Sequence, residues 1–330
     1  MSFRFPRGVV PLSVLGTIAG GAILLRDTLV GGTSRYPGEE EIIGRTVVIT
    51  GANSGLGRVT AEDLAKRGGK IIMACRDMKK CEEVKKEIIE ATMNKSVHCR
   101  HLDLASLSSV RSFAEEFNAN ERRLDILVNN AGVMGISGRQ KTEDGFEMHL
   151  GVNYLGPFLL THLLLDKLKS SSPSRIINVT SAIYEAGYID FDDLNCAKKY
   201  THESAYAQSK LALTLFNTKL AQILENSKVS TYLVYPGLSK TNLGRHLSIN
   251  NSMISGNIVK PFLSVTMKNA EQGMQTILMC ALNPDLAEES GFYYKSCRMA
   301  PLKKIGKDQA TADRLYAISR VWTGLGLEAK

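Results

Sequence analysis

None of the six cysteines (Cys75, Cys81, Cys99, Cys196, Cys280, Cys297) falls into a CxxC pair, and zinc-finger spacing is absent. These absences argue against a metal site and a disulfide framework. The thiols read as ordinary buried or surface groups in a reducing or mildly oxidising compartment. No aromatic-basic repeat occurs, which argues against a nucleic-acid module. No internal repeat appears at solenoid periods, and no low-complexity tract interrupts the chain. Acidic residues are missing before Asp27, whereas Arg4, Arg7 and Arg26 are all basic. That bias suits mitochondrial import.

What remains is ordinary globular material. The 330 residues are 44% hydrophobic and 22% charged, enough apolar content for a substantial core. A net charge of +8 fits a basic soluble enzyme, and equally attraction to anionic lipid or to a phosphorylated cofactor. The N-terminus differs from the rest: residues 8–25 carry no charge. As a helix they would run ~27 Å, slightly short of a ~30 Å hydrocarbon core. A membrane anchor is the expected reading, in the mitochondrial inner membrane or alternatively the endoplasmic reticulum. A cleaved signal and a packed or peripheral helix are the rivals. Residues 1–40 are therefore expected to be anchor and linker, and residues 41–330 the folded domain.

Within that domain, short apolar runs alternate with helical spacing. Residues 46–50 (TVVIT) fit a strand buried on both faces, and 56–67 fit a helix stopped by Gly68-Gly69. The next strand is 71–74, and Asp77 can cap a helix on which Met78, Cys81, Val84 and Ile88 recur. Strands at 97–102, 124–128, 175–180 and 229–235 continue the series, with a helix at 107–117. Such alternation predicts an α/β fold: a doubly wound, mostly parallel sheet with helices on both faces and ligands at the strand C-termini.

Gly51, Asn53, Ser54, Gly55, Leu56 and Gly57 follow the first strand and open the first helix. Glycines there allow a tight turn and bring backbone N–H groups and a helix N-terminus to a pyrophosphate. At the tip of the second strand, an NAD site would want an acid to accept both ribose hydroxyls. Arg76 instead offers a planar fork of donors suited to a 2′-phosphate, so NADP(H) is the expected cofactor. Further on, Tyr206 and Lys210 stand four apart, on one face of a helix. A neighbouring ammonium would favour phenolate and bring the phenol, whose ordinary pKa is about 10, nearer neutral acid-base work. Pro157 has no N–H and so deprives the Asn153 carbonyl of its i+4 donor.

The Gly-x-x-x-Gly-x-Gly spacing, the NNAG run at residues 129–132 and the YxxxK pair resemble the short-chain dehydrogenase family, which has a Rossmann-type fold. The resemblance implies that Asp103 reaches the adenine and that Asn130, Ala131 and Gly132 lie beside the adenosine ribose. It implies that Ser181 is the catalytic hydroxyl and Thr180 its neighbour, and that Asn153 completes the set with Tyr206 and Lys210. The Asn153 carbonyl would hold a water that links Lys210 to solvent. Cys75 stands where the family's ribose acid is expected. Pro236, Gly237 and Thr241 resemble the nicotinamide-side loop, with Thr241 on the carboxamide, and 242–267 the variable substrate lid.

Residues 68–78, 101–107, 142–148 and 189–195 narrow the likeness to the retinol dehydrogenase group, and residues 12–25 to its mitochondrial-type branch. That likeness implies NADPH-dependent reduction of retinal to retinol, or of a similar apolar aldehyde or ketone. Lipid aldehydes and steroids are alternative substrates, and a catalytically silent NADP(H)-binding membrane scaffold is the rival of another class. Tyr154, Pro157, Tyr184 and Tyr235 stand where the group commonly carries histidines, and Tyr184 and Tyr235 are expected to flank the pocket. Expected partners are a small apolar carbonyl or alcohol and membrane lipid, with no nucleic acid. A homo-oligomer is left open.

Overall fold

The computed structural model describes residues 35–237 and 269–326. Strand β1 (Thr46–Thr50) is buried throughout, and helix α1 (Gly55–Lys66) follows it across the glycine loop. Next come β2 (Lys70–Cys75), α2 (Met78–Thr92), β3 (Val97–His101), α3 (Leu107–Asn120) and β4 (Ile126–Asn129). A helical turn Met148–Leu150 runs into a π turn, Gly151–Leu155, and then into α4 (Gly156–Leu163) and α5 (Leu165–Ser170). The second half contains β5 (Ser174–Val179), α6 (His202–Ile223), β6 (Val229–Tyr235), α7 (Ala270–Leu282), β7 (Tyr293–Lys295), β8 (Arg298–Ala300) and α8 (Gln309–Trp322).

The eight strands are ordered β3-β2-β1-β4-β5-β6-β7-β8, parallel except for the β7–β8 pair. Alternation along the strands builds two cores, one per sheet face. Val48 and Ile176 join Phe113, Phe158 and Phe216 on one side. Val47, Ile49 and Ile177 join Leu64, Ile88 and Ile277 on the other. β1 pairs with β2 on one side and β4 on the other, so the chain reverses its direction of winding there. The crevice at that switch point is where such sheets take ligands.

Local chemistry sets the boundaries. Asp77 caps α2 as expected, accepting from Lys80 N at 3.0 Å. Gly68, at φ +84, stops α1 in a conformation that a side chain would strain. The reading of the cysteines needs correction. Cys81 and Cys99 form a disulfide that ties the first turn of α2 to β3. Their separation in sequence gave no sign of it, because only parallel pairing of β2 with β3 brings α2 over Cys99.

Candidate active site

The glycine loop is built as an anion cradle. Gly51 and Gly55 have φ of +67 and +55. A Cβ on Gly57 would lie 2.4 Å from Gly51 O and 2.6 Å from Asn130 Nδ2, so only glycine fits. Ser54 is the N-cap of α1, yet its side chain makes no capping bond, and the first turn carries no acid. The helix N-terminus therefore keeps amides and a positive dipole end for a diphosphate. Thr50 joins this loop to the next strand end: its Oγ1 accepts from Asn130 N (3.0 Å) and Ala131 N (2.9 Å). Asn130 Nδ2 donates to Thr50 O at 2.9 Å.

At the tip of β2, burial pushes the Cys75 thiol up to about 11, so it offers no charge to a ribose. Asp77 is committed to its cap, and Asn53 Nδ2 donates to the Asp77 carbonyl at 3.4 Å. Arg76 is exposed and enters no ion pair among the described residues. That donor set fits a 2′-phosphorylated nucleotide. Asp103 lies two residues past the end of β3, where its Oδ1 accepts from Ala105 N at 2.9 Å.

The second cluster meets at the end of β5. Ser181 follows Thr180 and caps a 3-10 turn, Ala182–Ala186, where its Oγ accepts from Ile183 N at 3.4 Å, and its hydroxyl lies near enough to the Tyr206 phenol to lower the phenol's proton affinity. Lys210 Nζ donates to Val179 O at 3.0 Å and lies 6.0 Å from the Tyr206 ring centroid. Asn153 sits within the π turn and uses its whole amide. Its Oδ1 accepts from Val133 N (2.8 Å), and its Nδ2 donates to Val133 O and Ser209 Oγ (both 3.0 Å). This side chain thus joins the segment after β4 to the helix that carries Tyr206 and Lys210. Gly132 lies against the same group: a Cβ there would be 3.1 Å from Asn153 Oδ1 and 3.7 Å from Lys210 Nζ.

The electrostatics depart from the expectation of a lowered phenol. Burial pushes Tyr206 up to about 12; the Ser181 hydrogen bond opposes the rise and the nearby Tyr235 phenol adds to it. Burial also pulls Lys210 down to about 8, with nothing to offset it. Desolvation decides both shifts because both groups are withdrawn from water. At neutral pH the site therefore presents an un-ionised phenol, a proton donor.

Of the two tyrosines expected to flank the pocket, one does not. Tyr184 is fully buried, accepts from Lys303 N at 3.2 Å and packs edge-on to Tyr293, so it is core rather than pocket wall. Tyr235 does lie beside Tyr206, under Lys295 Nζ at 5.6 Å. Pro236 and Gly237 follow directly, with Gly237 at φ +90. Thr241, the lid at 242–267 and the apolar run at 8–25 lie outside the described residues. Among the described residues, no helix is long and apolar enough to cross a membrane.

The model of the short-chain dehydrogenase family matches residues 45–252. The chain belongs to that family. Human retinol dehydrogenase 13 is 48% identical, over 97% of this chain and 96% of its own length. Human retinol dehydrogenase 12 is 43% identical, over 92% and 93%. Among solved structures, an uncharacterised Mycobacterium paratuberculosis protein matches with a TM-score of 0.69 and 35% identity, over 88% of this chain and 97% of that one. A Shigella flexneri short-chain dehydrogenase complexed with NADP matches at 0.63 and 20% identity, over 79% and 100%, which shows the shared fold. As a short-chain dehydrogenase, the chain is an oxidoreductase that binds a nicotinamide cofactor. Motif reading found the groups at the strand ends but missed Thr50 and Ser209, which bond those groups to one another, and the buried Glu147–His149 pair, whose imidazole packs on Tyr206. Thr50 alone gave a signal, as the last residue of the strand before the glycine loop.

Proposed function

We propose that this short-chain dehydrogenase reduces retinal, or a similarly apolar aldehyde or ketone, using NADPH. The observation that carries the reading is the gathering of Ser181, Lys210 and an un-ionised Tyr206 at the end of β5, with Lys210 Nζ held on the Val179 carbonyl and 6.0 Å from the Tyr206 ring centroid. The glycine loop and the α1 N-terminus would hold the diphosphate and Arg76 the 2′-phosphate. A bound NADPH supplies the hydride.

Ser181 holds the substrate oxygen by its hydroxyl, and Tyr206 gives that oxygen a proton. Lys210 stands behind the phenol and favours the phenolate left after transfer. Asn153 keeps the Val133 segment and α6 in register, and its carbonyl takes the water that carries the replacement proton. A phenol that stays protonated at neutral pH suits the reductive direction. A scaffold that only binds nucleotide needs no such acid.

Retinal is favoured by likeness to the retinol dehydrogenases, and Thr241 and the 242–267 lid would complete the nicotinamide and substrate sides. The uncharged run 8–25 would anchor the enzyme, with the mitochondrial inner membrane as first choice and the endoplasmic reticulum as alternative. The Cys81–Cys99 bond favours placing the domain on the oxidising side of that membrane. The test is NADPH consumption by the purified protein across all-trans-retinal, steroid ketones and alkanals. Higher kcat/KM for retinal than for the others is expected. No turnover of any of them, with NADPH still bound, would return the chain to the scaffold reading.

A further inference from the structure

Glu147 and His149 are both fully buried, close to the catalytic cluster yet outside the chemistry assigned above. Glu147 is the N-cap of the helical turn Met148–Leu150 and His149 lies within it, just ahead of the π turn that carries Asn153. The Glu147 carboxylate meets His149 Nδ1 at 2.7 Å through one oxygen and accepts from Leu150 N at 2.8 Å through the other. Its backbone N–H donates to Asn195 Oδ1 at 2.5 Å, and Asn195 Nδ2 donates to Gly145 O at 3.1 Å. Arg139 donates to the Asn195 carbonyl at 2.8 and 3.0 Å. Glu147 is therefore held through its backbone and through both carboxylate oxygens, and one of those oxygens fixes the imidazole.

Beyond Glu147, His149 touches the catalytic residue itself. Its ring meets the Tyr206 ring edge-on, with centroids 6.0 Å apart at 62°, within the range in which aromatic pairs attract. Its Nε2 is buried and has no hydrogen-bond partner among the described residues. Burying a carboxylate and an imidazole costs desolvation that an apolar pair would avoid, and leaving one ring nitrogen unpartnered adds to that cost. A phenylalanine at 149 would supply the ring edge but leave a Glu147 oxygen without its partner. A glutamine would answer Glu147. The imidazole does both, and doing both holds a ring edge against Tyr206 in one fixed orientation.

We infer that His149, oriented by Glu147, is a positioning residue that braces the Tyr206 ring so that its hydroxyl meets Ser181. This rests on the reading of Tyr206 as proton donor. Tyr206 lies on α6, whereas Ser181 lies on the loop after β5. A small rotation of the phenol would therefore separate the two hydroxyls. The brace acts on orientation, so it affects the chemical step and leaves cofactor binding alone.

Four full-length proteins test it: His149→Leu, His149→Gln, Tyr206→Phe and the Tyr206→Phe/His149→Leu double variant. Turnover is measured with retinal and NADPH, NADPH affinity by fluorescence titration, and folding by Tm. Both His149 variants should lose about ten- to hundredfold in kcat, with KM and the NADPH dissociation constant within about twofold of wild type. His149→Gln keeps a donor for Glu147, so it should retain more of the Tm than His149→Leu while sharing the loss in kcat. The double variant should be no slower than Tyr206→Phe in single turnovers. Wild-type kcat in His149→Gln, NADPH affinity falling in step with kcat, or a further loss in the double variant would each overturn the brace. Retained activity in Tyr206→Phe alone would instead overturn the proton-donor reading, and the brace with it.

Discussion

Replacing Lys210 by methionine should abolish turnover and at the same time stabilise the apoprotein. Lys210 is 4% exposed, and its ammonium has one hydrogen-bond acceptor, the Val179 carbonyl, with no carboxylate to offset burial. Burial lowers its pKa from 10.5 to about 8. Between those values the unfolded chain binds more protons than the folded one, so stability rises with pH across that window. Below it, the folded state carries an ammonium held roughly 3 kcal/mol less favourably than in water. Methionine removes that cost but leaves the Val179 carbonyl without its donor, a loss of about 1–2 kcal/mol. The net gain is about 1–2 kcal/mol at pH 7, or roughly 2–6 °C in Tm. Calorimetry of both apoproteins at pH 7 and pH 9.5 checks it. The advantage of Lys210→Met should shrink by about half or more at the higher pH, where wild-type Lys210 is neutral when folded. A variant no more stable than wild type at pH 7, or an advantage independent of pH, would refute the reasoning.

Arg76→Asp should shift the kcat/KM ratio from NADPH toward NADH, because a carboxylate there repels a 2′-phosphate and accepts from a free hydroxyl; an unchanged ratio would place the phosphate elsewhere. Cys99→Ser should lower stability by about 3 kcal/mol for a closed loop of 18 residues, seen as a lower urea midpoint, and dithiothreitol should do the same to wild type. Pro157→Ala gives the Asn153 carbonyl an i+4 donor, so kcat should fall about tenfold, or ~1.4 kcal/mol in the barrier, with NADPH affinity kept. A pH–rate profile unchanged from wild type would leave Pro157 a packing residue. Removing residues 1–32 should release the protein into the soluble fraction, and carbonate-resistant membrane binding by the shortened chain would move the anchor elsewhere.

The alternation of apolar runs with helical spacing sufficed to predict a doubly wound sheet, because burial on both faces leaves strands such as Thr46–Thr50 no polar side. The glycine loop was equally plain, since a tight turn before a helix N-terminus restricts residue choice locally. Tyr206 and Lys210 were legible for the same reason: one helical turn separates them. Four things depended on tertiary structure. The Cys81–Cys99 bond needs α2 laid across β3. The burial of Tyr184 follows from the Tyr293 and Lys303 segments, more than a hundred residues away. The protonation of Tyr206 is set by desolvation, and exposure is a property of the packed chain. His149, held by Glu147, faces Tyr206 from a segment more than fifty residues earlier, across a contact that exists only once α6 has docked. Local chemistry is written in spacing, whereas orientation, burial and proton affinity arise from neighbours that the sequence places far apart.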